Sequence, residues 1–171
     1  MALDQNQEQD FLGKMFMRLD LGNCSNGRFF TPYHVCELMA EVVATDALEK
    51  IEQHGYISIN DPCCGAGATL IAGVHVIRKQ LEHCDPPRNY QNHILVVAQD
   101  VDEIVGLMCY IQISLLGLAG FIKIGNSITD PMSTDDSSEK YWYTPMYFSD
   151  VWNTRRMLRQ INKLFGKGDD E

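Results

Sequence analysis

Apolar positions along this chain follow two rhythms, and their alternation predicts the architecture. Phe11, Leu12, Met15, Phe16 and Leu19 recur at helical spacing, so the first twenty residues read as an amphipathic helix that stops near Gly22 and Asn23. Thr31-Pro32 sets a hydroxyl cap before a proline at the first helical position. It opens a helix that carries Val35, Leu38, Met39, Val42 and Val43 on one side and ends by Gly55. Tyr56 to Asn60 is a short β-prone run, and Gly65-Ala66-Gly67 leads into a helical stretch holding Leu70, Ile71, Val74 and Ile77. After a proline-bearing loop, Ile94 to Ala98 is continuously apolar, as a strand buried on both faces should be. Glu103 to Leu118 predicts the next helix, Phe121 to Ile124 a third strand, Pro131 to Lys140 a polar loop and Val151 to Phe165 a closing helix.

Helices followed by β-α-β-α-β argue for an α/β fold with a parallel sheet and right-handed crossovers, whose ligands lie at the carboxyl ends of the strands. The chain is expected to form a single domain, 1–171. Its parts are a helical region 1–55, a core 56–130, and an aromatic segment with the final helix, 131–171. A length of 171 residues with 45% hydrophobic content fits one domain. The charge sum, 14 Lys+Arg against 23 Asp+Glu, gives -9 and disfavours a stand-alone DNA binder.

The apolar run Val105 to Ile124 is broken by Gln112, Ser114, Gly117, Gly120 and Lys123, and the N-terminus carries Asp4, Glu8 and Asp10. Neither a membrane span nor a secretory signal is expected, and a cytoplasmic location follows. Six cysteines lack a C-x-x-C pair, so reduced thiols are expected and no metal site.

Asn60 to Leu70 carries the strongest candidate chemistry. Gly65 and Gly67, after a strand and before a helix, let the backbone approach a ligand closely, and the helix N-terminus adds free N–H groups. A tight turn without a ligand would use the same glycines. A carboxylate at the end of the second strand favours the ligand, because a nucleotide-binding sheet holds ribose hydroxyls there. Asp100 is the better placed candidate and Asp102 the second.

Gly27-Arg28-Phe29-Phe30-Thr31-Pro32, Asp61-Pro62-Cys63-Cys64-Gly65-Ala66-Gly67, Asp100 with Met108, and Gly125-Asn126-Ser127 occur in that order. Together they resemble successive motifs of adenine-N6 DNA methyltransferases, especially modification subunits of type I restriction systems. The resemblance implies a Rossmann-like S-adenosylmethionine (SAM)-dependent methyltransferase sheet, truncated, with N-terminal helices. It also implies SAM as cofactor. Carried over residue by residue, Phe30, Thr31, Asp61, Cys63, Gly65 and Gly67 would enclose the methionine part, Asp100 would hold the ribose, and Asn126 would border the adenine.

The family's catalytic tetrad, Asn or Asp followed by Pro-Pro and an aromatic residue, does not occur after Asn126. Asp85-Pro86-Pro87-Arg88 precedes the second strand and lacks the aromatic member. Thr144-Pro145-Met146-Tyr147 stands at the expected place and keeps one proline and the aromatic residue. Two readings stand for it: a degenerate tetrad with Thr144, Pro145 and Tyr147 in catalytic roles, or an aromatic core strand or interface. Amine methylation needs acceptors for the amine hydrogens and a ring to stack on an extruded adenine; Thr144 offers only a hydroxyl.

The implied function is therefore a compact or partner-dependent methylase that meets DNA through a partner subunit. The alternative is a non-catalytic SAM-binding or interaction module. Arg155, Arg159 and Lys163 form a basic stripe suited to phosphates, an acidic partner or plain solvation. The resemblance also leaves the edge of the Tyr56–Asn60 strand without the neighbours it has in the family. Two covers are expected: Tyr141 to Phe148 folding back as a fourth strand, and a dimer, or a hetero-oligomer, that buries the remaining aromatic face with the N-terminal helix.

Overall fold

The apolar runs become a sheet of four strands, β1 (Ile57–Asp61), β2 (Ile94–Asp100), β3 (Ala119–Ile124) and β4 (Tyr141–Tyr143), in that spatial order. The computed structural model describes residues 9–19 and 31–164. β1, β2 and β3 run parallel, while β4 returns antiparallel on the far side of β3, with Phe121 opposite Tyr143. Their close spacing is sequence-encoded at Gly120, where a Cβ would lie 2.6 Å from the Val96 carbonyl oxygen.

Among the described residues, six helices accompany the sheet: α1 (Phe11–Arg18), α2 (Tyr33–Val43), α3 (Ala47–His54), α4 (Ala68–Glu82), α5 (Glu103–Leu115) and α6 (Asp150–Leu164). The helix expected to run unbroken to Gly55 is split by a 3₁₀ turn, Ala44–Asp46, and α3 ends at Gly55 in the left-handed region (φ 80°). The expected first helix is described only from Phe11. The parallel strands follow in order, and α4 and α5 pack together into one core on the same face of the sheet. Leu70, Ile71, Val74 and Ile77 of α4 meet Ile94, Val96, Ala98 and Ile122 there, and Cys109 and Ile113 of α5 complete the core.

β2 departs from the expectation of burial on both faces. Ile94, Val96 and Ala98 are buried, whereas Leu95 and Val97 on the other face are half-buried, because they border a cavity that they line together with Tyr147 and Trp152. Trp152 of α6 is the anchor: its indole N–H donates to the Gln91 carbonyl at 3.0 Å and its ring meets Tyr56 edge-on.

α2 contacts α4 through small residues, Cys36 and Ala40 against Ala68 and Ala72. Its larger apolar stripe, Val35, Leu38, Met39, Val42 and Val43, consequently faces outward, 37–76% exposed. The returning aromatic segment also differs from expectation. It pairs with β3, not β1, so β1 remains an edge strand. Thr144, fully buried, fixes this arrangement: its hydroxyl donates to the Leu118 carbonyl (2.7 Å) and accepts from the Gly120 amide (2.9 Å).

Lys123, 1% exposed, orders the polar loop after β3, donating to Asp130, Asp136 and the Pro131 carbonyl at 2.8–2.9 Å. Together with Lys140 and the Tyr141 hydroxyl, it holds the Asp136 carboxyl well below the usual carboxylate range.

Thr144→Val should destabilise the protein by about 1–3 kcal/mol in urea melts, since the buried Gly120 amide loses its partner. A carboxylate with a depressed folded-state pKa contributes stability that is complete above the unfolded value, about 4, and is lost as pH falls through the folded value. Wild-type stability should therefore fall on acidification below that point, and Asp136→Asn should remove that part of the dependence in melts at stepped pH.

Candidate functional site

The carboxyl ends of β1, β2 and β3 converge on one loop. Asp61 closes β1, and its carboxylate accepts the Cys63 amide at 3.0 Å, turning the chain sharply into Cys63–Gly67. Gly65 and Gly67 take positive φ, 53° and 98°, and a Cβ on Gly67 would stand 2.9 Å from the Cys109 sulfur. Only glycine lets the loop lie this close to α5. α4 then starts at Ala68 with no side-chain cap, so the N–H groups of its first turn point toward the site.

Asp100 joins this loop to the other strands. One carboxylate oxygen accepts the Gly65 amide at 2.8 Å and the other the Asp102 amide at 2.9 Å, while its backbone carbonyl accepts the Gly125 amide. Asp102, the second candidate, caps α5 through Val105 instead. A carboxylate has about four acceptor positions, so Asp100 retains capacity for two further donors. Asn126 uses its side-chain oxygen to accept the Ile128 and Thr129 amides, which shapes the turn after β3. Cys63 is exposed, its sulfur 3.8 Å from the Ser127 hydroxyl, so the glycine loop and the loop after β3 adjoin.

Asp61 sits in a different electrostatic setting. Burial, with the nearby Asp100 charge, raises its pKa despite the Cys63 amide and the Thr69 hydroxyl. Among the described residues neither carboxylate has a cationic partner. Thr31 is linked to this side of the site, since the Cys36 thiol lies between its carbonyl (3.9 Å) and the Thr69 hydroxyl (3.8 Å). Phe30 lies outside the described residues. Thr31, Asp61, Cys63, Gly65, Gly67, Asp100 and Asn126 thus belong to one end of the sheet.

Thr144, Pro145 and Tyr147 do not join them. Thr144 lies beside Gly120, four residues before the end of β3, so ~13 Å of strand separates it from the site. Tyr147 packs on Tyr143, with ring centroids 4.7 Å apart, beneath the Arg156 guanidinium.

Two residues absent from the sequence-based site support the loop from behind. The Gln112 amide donates to the Ala66 carbonyl and to the Asp10 carboxylate, each at 2.8 Å, and Asp10 also accepts the Gly13 amide. Their signal was visible: a glutamine interrupting an otherwise apolar helix face must find buried partners.

The fold and loop geometry agree with the comparisons. The family model N-6 DNA Methylase matches residues 10–165. A solved structure, the modification subunit of a putative type I restriction enzyme from Vibrio vulnificus YJ016, superposes with a TM-score of 0.51 at 21% identity, covering 71% of this chain. The chain spans 22% of that subunit's length. A search among curated proteins finds no match. A match over nearly the whole chain makes this protein a member of the N-6 DNA methylase family.

Proposed function

We propose that this chain binds SAM and forms the cofactor-holding part of a DNA adenine-N6 methylase that depends on a partner. The observation that carries the reading is the convergence on one glycine loop of an uncapped helix start and two carboxylates, Asp61 and Asp100, that have no cationic partner among the described residues. That donor set suits SAM: the remaining acceptor positions of Asp100 match ribose hydroxyls, Asp61 matches the α-ammonium, and the first turn of α4 matches the carboxylate. Thr31, with Phe30, would flank the methionine part, Cys63, Gly65 and Gly67 would line it with backbone, and Asn126 would border the adenine. Bound SAM would supply an activated methyl group. The chain's own residues bind and orient it.

Among the described residues, Thr144 does not reach that end of the sheet. The hydroxyl of Thr144 is spent on the Leu118 and Gly120 backbone, so the acceptor for an adenine amine, and contact with DNA, are assigned to another subunit. The same observation favours the second reading, a SAM-binding module without turnover. The two readings part on whether methyl transfer appears when a modification-type partner is added. Among the described residues no helix is long and apolar enough to cross a membrane. A cytoplasmic setting belongs to the same proposal.

Calorimetric titration with SAM should show saturable binding, weakened about ten- to a hundredfold by Asp100→Ala. No heat of binding would end the reading. Affinity should fall on acidification at a pH above the ordinary carboxylate range, because the ionised form of Asp61 holds the ammonium and its pKa is raised. Asp61→Asn should flatten that profile. The protein alone should transfer no radioactive methyl group to duplex DNA, and label abolished by Tyr147→Ala would reverse the assignment of that segment.

A further inference from the structure

The glycine loop is held from behind as well as from the strand ends, and the support behind it reaches the N-terminal helix. The Gln112 side chain, 3% exposed, uses its amide nitrogen and its oxygen in two directions. The nitrogen donates to the Ala66 carbonyl and to the Asp10 carboxylate, each at 2.8 Å, and the oxygen accepts the Leu12 amide at 3.0 Å. Asp10, 4% exposed, caps α1, and the same carboxylate oxygen that receives Gln112 accepts the Gly13 amide at 2.8 Å. Gly13 makes room for this, because a Cβ there would run into the other Asp10 oxygen.

α1 is otherwise lightly held. Of the helix and its two caps only Asp10 and Gly13 are buried, while Met15, Met17 and Leu19 are 40–61% exposed. An element attached through a few polar contacts, with little apolar burial, belongs to the parts of a fold that open locally at low free energy. Opening would strand Gln112. With Asp10 and Leu12 gone, one N–H and the oxygen of a buried amide lose their partners, and the side chain recovers them only by turning toward water, away from Ala66. The Ala66 carbonyl, in a residue 1% exposed, would then lose its donor. Undocking of α1 and loosening of the loop therefore cost less together than apart.

We infer that α1 controls the cofactor site: docked, it holds the glycine loop in its binding conformation, and undocked, it releases the loop, with Asp10 and Gln112 as positioning residues between them. The inference rests on the reading of this loop as a SAM site, which names what the control acts on, whereas the coupling of helix to loop is a property of the free protein. Such coupling is reciprocal. If docking of α1 strengthens SAM binding by some factor, bound SAM strengthens docking of α1 by the same factor. Because one Asp10 oxygen carries both bonds, Asp10→Asn keeps them and Asp10→Ala loses them.

Hydrogen exchange of the full chain without ligand, read by mass spectrometry, tests the coupling. Asp10→Ala should speed exchange in the loop, residues 63–68, with which Asp10 shares no hydrogen bond among the described residues. Exchange in β2 should stay as it was, and Asp10→Asn should keep the wild-type loop rate. Gly13→Ala reaches the same end without altering either positioning residue: alanine favours a helix, yet its Cβ displaces the Asp10 carboxylate, so the loop should loosen. This arm stands if Asp10→Ala fails to fold. In calorimetry, SAM should bind about five- to fiftyfold more weakly to Asp10→Ala and Gly13→Ala than to wild type or Asp10→Asn, and SAM should slow exchange in residues 11–19 of the wild type by a comparable factor. Loop exchange that ignores both substitutions, or β2 exchange that accelerates along with the loop, would overturn the inference. So would bound SAM that leaves exchange in residues 11–19 unslowed. A wild type that binds no SAM while its loop still responds to Asp10→Ala would end the cofactor reading and support the coupling.

Discussion

The carboxylate of Asp100 is the fastening on which the candidate site depends. It draws the glycine loop onto the end of β2 through Gly65 and starts the turn into α5 through Asp102, while its own carbonyl takes the first amide after β3. The neighbouring Gln99 repeats the pattern: its carbonyl accepts the Cys64 amide and its side chain donates to the Gly125 and Asp130 carbonyls. Two consecutive residues therefore hold three loops in register. Charge-assisted bonds from a carboxylate to backbone amides are stronger than neutral ones, so a loop of small residues can keep one shape without a ligand. Behind it, Gln112 and the close fit of Gly67 to Cys109 prevent collapse toward the core.

The sheet built from these strands is lopsided. Its α4 and α5 face buries aliphatic side chains completely, whereas its other face is covered by α6 and a cluster of aromatic rings around Phe121, Tyr143 and Tyr147. Aromatic residues suit that thinner layer, because large rigid rings cover much area from few positions. Thr144 and Lys123 lock the cluster and the loop beside it, so the polar residues of this half of the molecule act on packing.

The chain belongs to the N-6 DNA methylase family and spans 22% of the modification subunit whose fold it shares. The residues gathered at the strand ends can bind and orient. Among the described residues, Thr144, Pro145 and Tyr147 do not stand among them.

Local physics made most elements legible in the sequence. Helical spacing located α4, α5 and α6, the continuous apolar run located β2, and glycines between a strand and a helix located the loop, because each depends on residues near in sequence. The sequence by itself thus determined a parallel α/β sheet with a glycine turn and an acid at its carboxyl ends. What it could not determine was which apolar stripe would find a partner and where a three-residue strand would pair. The larger stripe of α2 faces solvent because small residues let its other side approach α4 more closely. β4 chose β3 because Thr144 could satisfy Gly120 and Leu118 there. Both outcomes hang on contacts between residues far apart in the chain, whose partners exist only once the tertiary structure has formed.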